Sequence, residues 1–131
     1  MYLAIETLLR LLAEQTRLRC VSLLYKENVL SLAELADVLD LTQTQIPRHL
    51  TSLQLAKIVS SVSIGQDTFY QLHPQLPDWA REILRAIIGG IGETEPYARD
   101  RATLARLPDR AWSKVAAMYT GKQREIATAF F

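Results

Sequence analysis

The chain has 131 residues, 49% of them hydrophobic and 22% charged. That suits one compact core, excludes a disordered composition and leaves too little chain for two ordinary domains. The formal net charge of +1 excludes a strongly basic architectural protein but leaves room for a local basic patch. A lone cysteine, Cys20, excludes an internal disulfide or a CxxC zinc module. The first residues lack a basic leader with a small-residue cleavage site, and no run approaches a bilayer-spanning length, so a cytoplasmic protein without membrane contact is expected.

In chain order, residues Tyr2 to Ala13 set Leu8, Leu9, Leu11 and Leu12 on a broad apolar stripe and predict a helix. Thr16 is placed to cap a second helix to about Tyr25, with Leu18, Val21 and Leu24 inward and Cys20 beside them. Lys26-Glu27-Asn28 reads as a turn. Ser31-Leu32-Ala33-Glu34 is a capping-box pattern opening a short helix that buries Leu32, Leu35, Ala36 and Leu39. After Asp40-Leu41, Thr42-Gln43-Thr44-Gln45 offers a second capping box, and a further helix runs through Ile46, Leu50 and Leu53. Two short helices joined so tightly, the second exposing Gln43, Gln45, Arg48 and His49, match a helix-turn-helix.

The period then turns strand-like. Lys57 to Ile64 and Thr68 to Leu72 predict a hairpin across Gly65-Gln66-Asp67. Beyond Pro74 and Pro77, Asp78 to Ile88 resumes helical spacing until Gly89-Gly90, where it is expected to stop. Arg99 to Leu107 reads as a short helix, and Asp109 as the cap of another carrying Trp112, Val115, Ala116 and Tyr119. Gly121 would interrupt or end it, with Ile126, Phe130 and Phe131 docking elsewhere. The expected architecture is mainly α with a small β-hairpin, a dimeric winged helix-turn-helix over residues 1–90. Residues 91–131 are expected to form a helical extension packed on that domain or across the dimer.

Residues at three places carry a family resemblance. Ala13-Glu14-Gln15-Thr16-Arg17-Leu18-Arg19 resembles the "ADPTRLR" segment of ArsR/SmtB-type repressors. Leu32 to Leu55 resembles their "ELA…LGLSQPTVSRHLKVLREAG" stretch, and Phe69-Tyr70-Gln71-Leu72 the "YYRL" end of their wing. Together these span about the first two-thirds of the chain. The tail, Tyr97 to Leu104 with Arg110, is similar to a segment that follows the DNA-binding unit in members sometimes fused to a methyltransferase. No glycine-rich cofactor fingerprint follows a strand, so neither enzyme activity nor a cofactor is expected. HExxH, a phosphate-binding loop and a Ser/His/Asp ordering in a recognisable context are likewise missing.

The resemblance implies an effector-responsive homodimeric repressor on an inverted repeat in double-stranded DNA. Glutamine side chains match adenine edges, so Gln43 and Gln45 are candidate readers; Arg48 suits guanine or phosphate, and His49 a phosphate or base edge. Thr42 and Thr44 sit where a phosphate meets a helix start, and Lys57 stands at the base of the wing. In the family the first and post-wing helices dimerise, which here points to Leu8, Leu12, Ile83 and Ile87.

Some residues depart from the pattern. Pro47 replaces a small polar residue and would be the fifth helical residue after a Thr42 cap, implying either a kink or a later helix start. The wing tip, Ile64-Gly65-Gln66-Asp67, lacks arginines, and Asp67 would repel phosphate. Ser31 and Ala33 stand where metal-sensing members carry paired cysteines, so no metal site is expected. Cys20 is a candidate redox or effector site, weighed against an inert core thiol. His49 is weighed against packing under the wing, and Gln43, Gln45 and Arg48 against being simply solvated. Trp79, Trp112 and Tyr119 are core or interface residues, or the lining of an apolar effector pocket between the fifth helix and the tail. A winged-helix protein-interaction module that no longer reads DNA stays open as the alternative, carried by Pro47 and the weakly charged wing.

Overall fold

The computed structural model describes residues 2–117, with side chains for residues 2–115. The elements are α1 (Ile5–Leu12), α2 (Gln15–Glu27), β1 (Leu30–Ser31), α3 (Leu32–Leu39), α4 (Ile46–Leu55), β2 (Val59–Ile64), β3 (Asp67–Leu72), α5 (Asp78–Ile91), α6 (Tyr97–Arg106) and α7 (Ala111–Ala117). The predictions for Tyr119, Gly121, Ile126, Phe130 and Phe131 lie outside the described residues.

Local chemistry sets most boundaries. The cap of α2 is Glu14, not Thr16: Glu14 is still extended, and its Oε2 accepts the Arg17 N–H at 2.8 Å. The expected box at α3 forms, Glu34 N donating to Ser31 Oγ at 3.1 Å and Ser31 N to Glu34 Oε1 at 2.8 Å. At the end of α4, Lys57 turns left-handed (φ 62°), with Ile58 N bonded to Leu53 O and Lys57 N to Gln54 O, each at 3.0 Å. This Schellman closure delays β2 to Val59.

The sheet is three-stranded with β3 in the middle, antiparallel to both β1 and β2. β1 has no counterpart in the sequence reading; Leu30 and Ser31 become a strand only by pairing with Tyr70 and Phe69. The hairpin turn is tighter than expected, since Asp67 pairs with Ile64 and leaves only Gly65 (φ 62°) and Gln66 in the loop. Helix α5 passes straight through Gly89-Gly90, because glycine lowers helix stability by about 1 kcal/mol without barring helical φ. It stops at Gly92, where φ becomes 51°.

Leu8, Val21, Leu24, Leu35, Leu50, Leu53 and Leu84 from α1 to α5, with Ile58 just before β2, form the centre of one core. The α6 helix packs on α2 and α3, placing Leu104 in that core. It is tied by a buried ion pair in which Arg19 Nε and Nη2 each donate to Asp100 at 2.8 Å. Beyond α6, Arg110 Nε meets Glu27 Oε1 at 2.7 Å. The first amide of α7, at Ala111, donates to Glu34 Oε2 at 3.0 Å, so the partner of that amide comes from α3 and not from the expected cap, Asp109. The sheet is thus covered twice. Val59 and Tyr70 face the main core, while Val62, Ile64 and Phe69 on the opposite face meet Ala111, Trp112 and Val115.

Candidate nucleic-acid interface

The turn between α3 and α4 begins at Asp40 in the left-handed region (φ 57°), a conformation Asp tolerates better than most side chains. Thr42 and Gln45 then cap each other: Thr42 N donates to Gln45 Oε1 at 3.1 Å and Gln45 N to Thr42 Oγ1 at 3.2 Å. Ile46 N reaches Thr42 O at 3.4 Å. The second box therefore exists, but regular helix starts only at Ile46, with Pro47 in its first turn. Pro47 has no N–H to return to Gln43, so the ladder cannot be continuous from Thr42. Of the two expected outcomes, the later start is the one found. In a first turn proline is well tolerated.

This start fixes what the surface offers. Ile46, Leu50 and Leu53 bury one side of α4 at i, i+4 and i+7, leaving Thr42, Gln43, Thr44, Gln45 and Arg48 exposed. The Thr42 and Thr44 hydroxyls share a 2.8 Å bond. Gln45 Oε1 is occupied by Thr42, so its side chain has only its N–H2 to donate outward. Among the described residues nothing bonds the Gln43 amide or pairs with the Arg48 guanidinium, so both are available to an external partner. Lys57 is exposed too, but at the far end of α4, about 15 Å along the helix axis. It lines a cleft of ≈ 330 Å³ with Leu3, His73, Gln75 and Pro77. There burial, then the charges of Lys57 and Arg81, hold His73 below the usual histidine range.

His49 takes a different position from that set. Its side chain is 15% exposed and turned toward the start of α2, with Nδ1 at 3.6 Å from Glu14 Oε2 and 3.5 Å from Arg17 Nη1. Arg17 Nε in turn donates to Leu11 O at 2.7 Å. Burial opposes charge on Glu14, but the Arg17 and Thr16 amides and the charges of His49 and Arg17 outweigh it and lower the carboxyl pKa. The ring therefore clips α4 to the α1–α2 junction, neither facing outward nor lying under the wing. Glu14 and Arg17 were not singled out as site residues, although both lie in the segment that carries the family resemblance.

The apolar candidates divide differently from expectation. Leu8 and Leu12 are 0% and 4% exposed and belong to the chain's own core. The outward residues of α1 are Ile5 and Leu9, 44% and 49% exposed, one position round the helix from Leu8 and Leu12. Their i, i+4 spacing was the available signal. On α5, Ile83 and Ile87 are half-buried against the core, in line with Trp79, which is exposed. Cys20 is enclosed, and burial pushes its thiol up to about 12, so it is protonated at neutral pH. Tyr119 of the expected aromatic set lies outside the described residues; Trp112 sits against Phe69, ring centroids 5.2 Å apart and edge to face, on the wing and not against α5. The cavity between α2, α5 and α6 measures only ≈ 10 Å³, about one water. Among the described residues no group of three or more His, Cys, Asp or Glu is placed to hold a metal ion, and no helix is long and apolar enough to cross a membrane.

No protein-family model matches the chain. It is 34% identical over 105 residues to the arsenic resistance transcriptional regulator ArsR1 of Pseudomonas putida, covering 80% of each protein. It is 35% identical over 77 residues to the arsenical resistance operon repressor of Escherichia coli, covering 59% of this chain and 66% of that one. Among solved structures, reduced HlyU of Vibrio cholerae aligns with a TM-score of 0.55 at 26% identity, over 70% of this chain and 87% of that chain. The regulator HlyU of Vibrio vulnificus gives 0.56 at 24% identity, over 64% and 83%, a likeness of fold alone. The Pseudomonas, Escherichia and V. vulnificus proteins are named as transcriptional regulators or repressors. The paired helices, the two-strand wing and the outward-facing α4 start meet in one identity, and the chain belongs to the ArsR/SmtB-type family of winged helix-turn-helix DNA-binding regulators.

Proposed function

We propose that the protein acts as a homodimeric repressor that reads an inverted repeat with Gln43 and Arg48, one copy of α4 in each of two successive major grooves. The observation that carries this reading is that Gln43 and Arg48, exposed and without a side-chain partner among the described residues, stand at the start of a helix whose other side is anchored in the core. Gln45 adds one donor, Thr42 and Thr44 shape the turn and meet phosphate, and Lys57 serves a more distant phosphate. His49 acts behind this surface by fixing the angle of α4. The dimer forms through α1 and α5, supported by the exposed Tyr2, Ile5, Leu9 and Trp79 beside the half-buried Ile83 and Ile87.

Relatives whose names refer to arsenic resistance suggest an effector class, but a cluster of thiolates is not what this chain offers. Its only cysteine is enclosed, and Ser31 and Ala33 stand where paired thiols occur in metal-sensing members. The effector we infer is a small molecule recognised without thiolate ligation.

The reading is tested by fluorescence anisotropy on a duplex selected by the protein from random sequence, against a scrambled duplex, across salt concentrations. Gln43→Ala and Arg48→Ala are each expected to cost about 1–3 kcal/mol, roughly fivefold to 150-fold, on the selected duplex and much less on the scrambled one. Equal binding to both duplexes by the unaltered protein would refute sequence-specific repression. A protein-interaction module, by contrast, would hold its partner with both residues replaced.

A further inference from the structure

Helix α7 lies on the face of the wing opposite the main core. Cross-strand pairing puts Val62 directly across from Phe69 and Ile64 across from Asp67, so Val62, Ile64 and Phe69 point to one side. On that side Phe69 is 0% exposed, and its cover comes from Val29, just before β1, and from α7, with Trp112 edge-on at 5.2 Å beside Ala111 and Val115. On the other side the sheet is held to α4, where the Gln54 amide donates to Ser61 Oγ. Without α7, the apolar row of the wing would face water.

The connection is anchored at both ends of the segment leading into α7. Arg110 donates to Glu27 at 2.7 Å and to the carbonyls of Leu107 and Leu104 at 3.1 and 2.8 Å, which fixes the turn after α6. Glu34 then divides its carboxylate: Oε1 closes the capping box of α3 on Ser31, and Oε2 takes the first amide of α7. One side chain thus couples the first helix of the helix-turn-helix to the helix that lies on the wing.

We propose that Trp112 is a positioning residue for DNA binding, and that α7 is a brace holding the β2–β3 wing at a fixed angle to α4. The brace rests on the reading of α4 and the wing as the DNA surface. It explains how a wing whose tip carries Gln66 and Asp67 in place of arginines contributes: by shape and register rather than by charge.

The test uses the full chain with Trp112→Ala, Trp112→Phe and Glu34→Gln. Glu34→Gln keeps one acceptor oxygen where two amides now bind, so it weakens the anchor without removing aromatic contact. Two quantities are read: amide hydrogen exchange at Val62, Ile64 and Phe69, and affinity for the selected duplex. Trp112→Ala is expected to speed exchange in the wing while α2 and α4 stay protected. It should weaken duplex binding about 3- to 10-fold, the range of one lost aromatic pair. Trp112→Phe should restore most of both, and Glu34→Gln should fall between. Unchanged wing exchange in Trp112→Ala overturns the brace. Faster wing exchange with unaltered duplex affinity overturns the positioning role. If the unaltered protein selects no duplex, the DNA reading fails by itself, and the exchange measurement still decides whether α7 holds the wing.

Discussion

The Arg19–Asp100 pair allows a sharp test of how α6 is attached. Its side chains are only 10% and 2% exposed, and the guanidinium meets the carboxylate through two parallel bonds of 2.8 Å. The bonded carboxylate raises the Arg19 pKa against the opposing effect of burial. Replacing Asp100 with Ala strands a guanidinium that keeps one longer bond, 3.3 Å to the Leu39 carbonyl. Breaking one side of a buried pair costs about 3–5 kcal/mol, and the surviving Leu39 contact places the expected loss near the lower end. For a chain of this size that is a fall in Tm of about 10–15 °C. Replacing both partners, Arg19→Met with Asp100→Leu, removes the stranded charge and should return stability to within about 1 kcal/mol of the parent. Urea unfolding followed by tryptophan fluorescence reads both, with an unchanged m-value showing that the same surface unfolds. If Asp100→Ala and the double variant lose equal amounts, the pair does not act as a unit and α6 is held by Leu104 and its neighbours alone.

Other consequences concern the thiol and the first helix. Cys20 should resist maleimide in the native protein and react once urea unfolds it. Its pKa is raised on folding from 9.0 to about 12, so its contribution is intact below pH 9. Above that, the unfolded chain ionises first, and stability should decline by up to about 4 kcal/mol as pH rises through about 12; Cys20→Ala should flatten that decline, as urea titrations at several pH values would show. On α1, Leu8→Ala should cost about 2–5 kcal/mol of folding stability. Leu9→Glu should leave the fold intact and, for the dimer proposed through α1 and α5, shift it to monomer in analytical ultracentrifugation. A Leu9→Glu protein that remains dimeric would place the interface elsewhere.

What was legible in the sequence follows the range over which each interaction acts. The boxes at Ser31/Glu34 and Thr42/Gln45 each lie within one turn of chain, and both form. The buried row of α4 was readable for the same reason, since helical spacing is local; on α3 Leu35, Ala36 and Leu39 are buried as expected, while Leu32 is half-buried and Val38 joins the core in addition. β1 was invisible because a two-residue strand has no period, and its identity comes from Tyr70 and Phe69, about forty residues later. His49 looked like a surface residue for a similar reason: Glu14 and Arg17, its partners, arrive from an earlier helix. Leu8 and Leu12 belong to the chain's own core, on a short helix that carries two apolar stripes. Their pattern shows that both exist, while only packing decides which faces the core and which is left outside.

The cap at Thr42 also limits how specificity is divided. Because Gln45 gives its carbonyl oxygen to the backbone, it cannot make the paired contact to adenine that requires donor and acceptor together. Gln43 and Arg48 are then the side chains of the set with full capacity, worth about 1–3 kcal/mol each. A single α4 so equipped separates right from wrong sequence by roughly 2–6 kcal/mol at most. That range starts below, and reaches only the lower part of, the gap of about 4–10 kcal/mol between specific and non-specific binding in regulators. Two copies on a rigid two-fold axis double the contacts and add a spacing requirement that a lone helix cannot impose. The angle between α4 and the body therefore matters as much as the reading groups. His49 clips the helix from behind, while α7 lies across the wing to which Gln54 joins it.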